Sequence, residues 1–186
     1  MKRSTLYALA LLPQVLVLGG LVARSEHTLR LGRRVVLEVR AVDPMDLFVG
    51  RYVATPLAIE QVDLDDYSFD GTAIAPDSAI WVRLEEGEPW WTATNVAREP
   101  YDDGVWLRGT VQSASDVDGR HTARVSLGLD RYFIPEESED PAGWVDGKPR
   151  QLALVVRVTP DGTAGIEDLL VDGASFADWS RAQRKR

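Results

Sequence analysis

Leu6 to Ala23 is a charge-free run of 18 residues, interrupted only by Pro13, Gln14, Gly19 and Gly20. As a helix it extends roughly 27 Å, close to the hydrocarbon thickness of a bilayer. Pro13 removes one internal hydrogen bond, a defect that membrane helices tolerate. Lys2 and Arg3 place the N-terminus in the cytoplasm by the positive-inside rule, with Arg24 onward outside, although Arg30, Arg33 and Arg34 pull against that orientation. A cleaved signal peptide is the competing reading. Its best small-x-small site, Ala23-Arg24-Ser25, carries a charge at its centre, and the run is longer than a usual signal core, so retention is favoured. The expected organisation is a cytoplasmic N-terminus (1–5), a transmembrane signal anchor (6–23), a juxtamembrane linker (24–32), a β-rich soluble domain (33–180) and a basic tail (181–186). The localisation that follows is single-pass in the inner (cytoplasmic) membrane, with the domain outside.

From Arg33 the apolar period changes to two. Val35, Leu37, Val39 and Ala41 share one face, with Glu38 and Arg40 opposite. The alternation returns in Ile80-Val82-Leu84, Trp90-Thr92-Thr94-Val96, Val105-Leu107 and Leu152-Leu154-Val156-Val158. These short runs predict an all-β domain, mainly antiparallel, as a sandwich or an open barrel. Asp118-Gly119 and Asp161-Gly162 sit between apolar runs as hairpin turns, the second preset by Pro160. Ser175 caps a short C-terminal helix that carries Phe176 and Trp179 on one face.

Composition narrows the chemistry. The 186 residues, 45% hydrophobic, suffice for one core; the absence of cysteine excludes disulfides and thiolate chemistry; the net charge of −8 argues against nucleic acid and anionic lipid as main partners. Lys148 and His121, the residues a Ser–Lys dyad or a Ser–His–Asp triad would need, fall in a loop and beside a hairpin turn. Asp63, Asp65, Asp66 and Asp70 are weak metal candidates, since Tyr67 stands where a calcium loop needs its third ligand; a solvated acidic loop is the plainer reading, and no metal or cofactor is expected. Glu136 and Glu137 could work as an acid/base pair with Asp43 or Asp46 if their loops converge. Trp90 and Trp91 point to opposite faces of a strand, which makes Trp91 a possible contact with sugar, protein or the membrane surface.

Val42-Asp43-Pro44-Met45-Asp46-Leu47-Phe48-Val49-Gly50-Arg51-Tyr52-Val53 resembles the start of the bacterial GDYXXLXY family, membrane-anchored proteins of unknown biochemical function. Asp43, Pro44, Asp46, Leu47, Phe48, Gly50, Tyr52 and Val53 match the family segment. Val105 to Gly109 is similar to its central strand, Tyr132-Phe133-Ile134-Pro135-Glu136 to its Y-F-V-P-E stretch, and Ile166 to Gly173 to its closing strand. At the naming motif this chain departs: Arg51 replaces the acid, Thr55 the leucine and Leu57 the second tyrosine. Read physically, the segment is architecture, a turn built from Asp, Pro and Gly that opens a strand at Tyr52.

The expected function is a noncatalytic, membrane-anchored accessory that pairs with an integral membrane protein. Two alternatives compete with it. One is a tethered hydrolase using Asp43, Asp46 and Glu136, and the other is a cation- or ligand-binding β domain.

Overall fold

A computed structural model describes residues 3–40, 48–49, 52–64, 75–117, 120–135, 138–145 and 147–184, with side chains from Leu11 onward apart from those of 48–49, 116–117 and 120. The apolar N-terminal run lies in one helix, α1 (Arg3–Leu31), which continues through Pro13. Residues 24–31, expected as a linker, are its last two turns. Among the described residues no helix is long and apolar enough to cross a membrane.

The end of α1 is fastened to the domain. Thr28 is buried, and its hydroxyl donates to the Arg24 carbonyl at 3.2 Å. Gly32 N–H donates to the Thr28 carbonyl at 3.0 Å. Arg157 clamps the exit, donating to the Gly32 carbonyl at 3.3 Å while its Nε pairs with Glu167 at 2.5 Å. Leu29 lies over Gly165, where any side chain would touch it at 3.3 Å.

The period-two runs become strands. The first sheet orders β1 (Arg33–Glu38), β12 (Leu152–Val158), β13 (Ala164–Val171) and β14 (Ala174–Ser175). The second orders β4 (Gln61–Asp63), β8 (Arg120–Ser126), β7 (Val105–Val117), β5 (Ala79–Glu85) and β6 (Thr92–Ala97). Short ribbons join β2 (Phe48–Val49), β3 (Tyr52–Ala54) and β9 (Arg131–Phe133), and β10 (Trp144–Val145) with β11 (Lys148–Pro149). Among the described residues every ladder between named strands is antiparallel, whereas the isolated bridge Leu37↔Trp91 is parallel.

β1 decides between the two expected architectures. Trp91, just ahead of β6, bridges Leu37, and its N–H donates to Val36 at 2.9 Å. Leu57, just ahead of β4, bridges Val39, while Arg40 N–H donates to Pro56 at 2.8 Å. Both edges of the five-stranded sheet therefore return to β1, and the sheet nearly closes on itself. Its interior holds Val35, Leu37, Val82, Leu107, Val111, Leu154, Val156 and Leu169, each 0% exposed. Central strand β12 is buried on both faces through Ala153 and Val155 as well, so a continuous apolar run stands where a one-sided strand would alternate.

One expected phase is corrected. Trp90, Thr92, Thr94 and Val96 do not share a face: the β5–β6 register slips between Arg83 and Leu84, so Ala93 pairs with Leu84 and Val96 with Val82 while Thr92 and Thr94 are exposed. A bulge inserts one residue and inverts the alternation beyond it.

The turns follow their sequences. β7 and β8 pair out to Val117↔Arg120, and Asp118-Gly119, expected as a hairpin turn, lie outside the described residues. Asp172 (φ 50°) and Gly173 (φ 83°) join β13 to β14 with both residues in the left-handed region, as a two-residue hairpin requires. Between β12 and β13, the Asp161 carboxylate accepts from the hydroxyls of Thr159 (2.5 Å) and Thr163 (2.8 Å). Those bonds, Thr159's first, hold its carboxyl below the usual range. A depressed carboxyl contributes stability above the unfolded value near ~4 and loses it as pH falls through the folded one. The unfolding midpoint of Asp161→Asn should therefore lie below that of the wild type at neutral pH, and the gap should close on acidification below pH ~4. A gap that stays constant with pH would refute the assignment.

Helix α2 (Phe176–Gln183) starts where expected, with Ser175 Oγ accepting from Asp178 N–H at 3.3 Å. Phe176 and Trp179 are buried with ring centroids 5.8 Å apart. Of the expected basic tail, Arg181 is helical and pairs with Asp178 at 3.0 Å.

Candidate functional site

β3 and β4 run antiparallel to β9 and β8 as one long ribbon that is interrupted in the middle. At its outer end Tyr52 pairs with Phe133 and Ala54 with Arg131; at its inner end Gln61 pairs with Arg124. Between them a single 3-10 turn, Ala58–Glu60, takes the chain out of register. The ladder opens there into a groove of about 430 Å³.

Strand alternation determines what faces the groove. Val53, Thr55, Leu57 and Ile59 are buried, whereas Tyr52, Ala54, Pro56 and Glu60 are half-buried and line it. The opposite wall supplies Arg124, Ser126, Asp130 and Arg131, and Arg40 enters from beyond β1. Arg131 Nε pairs with Asp130 at 3.1 Å, and its guanidinium lies 5.3 Å from the Tyr52 ring. Arg40 donates to Gln61 Oε1 at 3.2 Å. Burial pushes the Glu60 carboxyl above its usual range, with the neighbouring Asp130 adding to the rise; Leu57's backbone, Arg124 and Arg40 pull the other way.

Two of the three departures at the naming motif, Thr55 and Leu57, fall on the inward face; Arg51 lies outside the described residues. Thr55 is 0% exposed, and its hydroxyl donates to the Leu129 carbonyl at 2.6 Å. Leu57 is 1% exposed within the core. Tyr52, the matching position, is half-buried in the groove wall, and Leu57 meets the same groove from its floor.

Of the other expected site residues, Asp43, Pro44, Asp46, Leu47, Gly50, Arg51, Glu136, Asp65, Asp66 and Asp70 lie outside the described residues. Phe48 is described only as backbone, paired with Val53. Tyr132 donates to Asp168 at 3.5 Å and packs its ring on Phe176 at 5.8 Å; burial raises its phenol. Phe133 is 72% exposed, its ring edge-on to Tyr52 at 6.2 Å. The Pro135 carbonyl accepts from Ser138 N–H. Asp63 ends β4 half-buried, and no group of three metal-ligating side chains occurs among the described residues. Trp91, expected as a possible contact, is instead buried at 8% exposure, because its bridge to Leu37 seats the ring against the core and under Arg33 at 5.0 Å. Its neighbour Trp90 is the more exposed ring, and both tryptophans line a second groove of about 410 Å³ with Glu38 and Glu88.

Sequence reasoning singled out Tyr52 but none of Arg40, Glu60, Arg124 or Arg131. Residues 52–60 alternate strictly in burial, but their sequence does not display it, since Thr55 turns inward while Ala54 and Ala58 are only half-buried.

These features define an antiparallel β domain with a nearly closed sheet, carried on a long N-terminal helix and closed by a short C-terminal one. The model of the GDYXXLXY protein family matches residues 14–169, and the chain belongs to that family. No match was found among curated proteins or among solved structures.

Proposed function

We propose that this chain is a membrane-tethered, noncatalytic accessory that presents its β domain to an integral membrane protein on the outer side of the cytoplasmic membrane. The observation that carries the reading is the surface of α1. Leu11, Leu12, Val15, Leu16, Val17, Leu18, Leu21 and Val22 are 56–69% exposed, and these positions run around the helix rather than along one stripe. Apolar area of that extent facing water is costly and marks a surface meant for lipid or protein. In the sequence the run extends back to Leu6, giving 18 residues for a bilayer core.

The junction supports an accessory role. Residues 24–31 continue the helix for about 12 Å, and Thr28, Leu29 and Arg157 fix its end on β12 and β13. A domain held this way keeps one orientation over the bilayer, so the same face always meets a neighbour in the membrane.

The full chain expressed in bacterial cells should stay in the membrane pellet after alkaline carbonate extraction and elute from mild detergent with an integral membrane protein. Leu16→Asp combined with Val17→Asp should release it, since each charge at a helix centre costs about 3 kcal/mol, while the domain's unfolding midpoint stays unchanged. Release of the wild-type chain by carbonate would sink the tether; retention without a partner would sink the accessory role.

A further inference from the structure

We propose that the groove opened by the Ala58–Glu60 turn is a binding site for a phosphate group, with Arg40, Arg124 and Arg131 as its donors. The site goes beyond the tethering reading and does not depend on it. Three guanidinium groups from separate segments line one cavity of about 430 Å³, in a chain whose net charge is −8. That concentration of cations runs against the charge of the molecule as a whole, so its source is the fold.

Most of the donors are uncommitted. Each guanidinium carries five N–H groups in a fixed fork. Arg131 spends its Nε on Asp130, and Arg40 one terminal nitrogen on Gln61. The Arg124 side chain makes no ion pair or hydrogen bond with the described residues, and its charge acts on Glu60 across the groove. A carboxylate offers two oxygens, whereas a phosphate offers three or four and can engage several forks at once. Gln112, Ser126 and Tyr52 add neutral polar groups to the wall.

Glu60 makes the site proton-linked. Its carboxyl faces Asp130, Arg124 and Arg40, with Arg131 on the same wall. An arriving anion places further negative charge beside it and favours its neutral form. Uptake of phosphate then draws a proton onto Glu60, and binding strengthens as pH falls toward that group's range.

Isothermal titration of the full chain in neutral detergent with inorganic phosphate tests this. Arg124→Gln should weaken binding about tenfold, and Arg40→Gln should do likewise; both residues are exposed, so both variants should keep the wild-type melting temperature. Glu60→Gln should bind more tightly at neutral pH. Relative to the wild type at each pH, which cancels the ligand's own titration, its advantage should disappear on acidification. Arg181→Gln, on α2, should bind as the wild type does. Dihexanoyl phosphatidylglycerol, measured against dihexanoyl phosphatidylcholine, separates the sources: binding of inorganic phosphate assigns a free phosphate group, and selective binding of the glycerol lipid alone assigns a headgroup. Either supports the site if Arg124→Gln weakens it. No binding of either probe, or equal weakening by Arg181→Gln, overturns it.

Discussion

Replacing Gly162 with alanine should lower the domain's stability by about 3 kcal/mol or more, a fall in melting temperature of ~10 °C. Two penalties coincide there. The backbone sits at φ 72°, where a Cβ meets its own carbonyl and costs ~1–2 kcal/mol. In addition, the added methyl would stand 2.1 Å from Cζ3 of Trp81, with two more ring atoms within 3.0 Å. The turn cannot move away to make room, because the Gly162 carbonyl accepts from Arg108 N–H at 3.0 Å and so ties the β12–β13 hairpin to β7. Gly173 provides the internal control. Its φ is 83°, but nothing lies within 4 Å of the methyl position, so Gly173→Ala should cost only ~1 kcal/mol. Equal losses at the two sites in thermal unfolding would show that the Trp81 contact contributes nothing.

Leu57→Tyr, which restores the second tyrosine of the family motif, should destabilise the domain by roughly 3 kcal/mol. Leu57 is 1% exposed and belongs to the core, where it bridges Val39. A tyrosine there adds ring volume at a site with 1% exposure and buries a hydroxyl that needs a partner. Thr55→Leu should also lose stability, because it removes the bond to the Leu129 carbonyl from a site with 0% exposure. Denaturant unfolding of the two variants decides whether the motif is architecture. A restored motif that is as stable as the wild type would mean that these positions do not face the core. The outward residue Tyr52 separates the two roles: Tyr52→Ala should alter the groove wall while leaving the packing around Thr55 and Leu57 in place.

Much of the fold is legible along the chain because local pattern determines local structure. The alternation at Val35 and Leu37 and at Ile80, Val82 and Leu84 places those side chains inward, as the observed burial confirms. Ser175 caps α2, and Asp161-Gly162 turns, for reasons internal to a few residues. The phase at Thr92 and Thr94 was not legible, because it depends on a bulge against β5. Nor was the choice between Trp90 and Trp91: neighbouring strand residues must face opposite ways, but which one turns inward was decided by the bridge to Leu37.

By itself, then, the sequence determined the apolar helix, the antiparallel strands with their turns, and the family through the segment around Tyr52. Tertiary structure alone decided that both edges of the five-stranded sheet return to β1, that the end of α1 is clamped by Arg157, and that Arg40, Glu60, Arg124 and Arg131 share one groove. The physical reason is the range of the interactions. Periodicity and turn chemistry act within a few residues, whereas the groove exists only because distant strands pair on either side of a 3-10 turn, and no local pattern records which edges will meet.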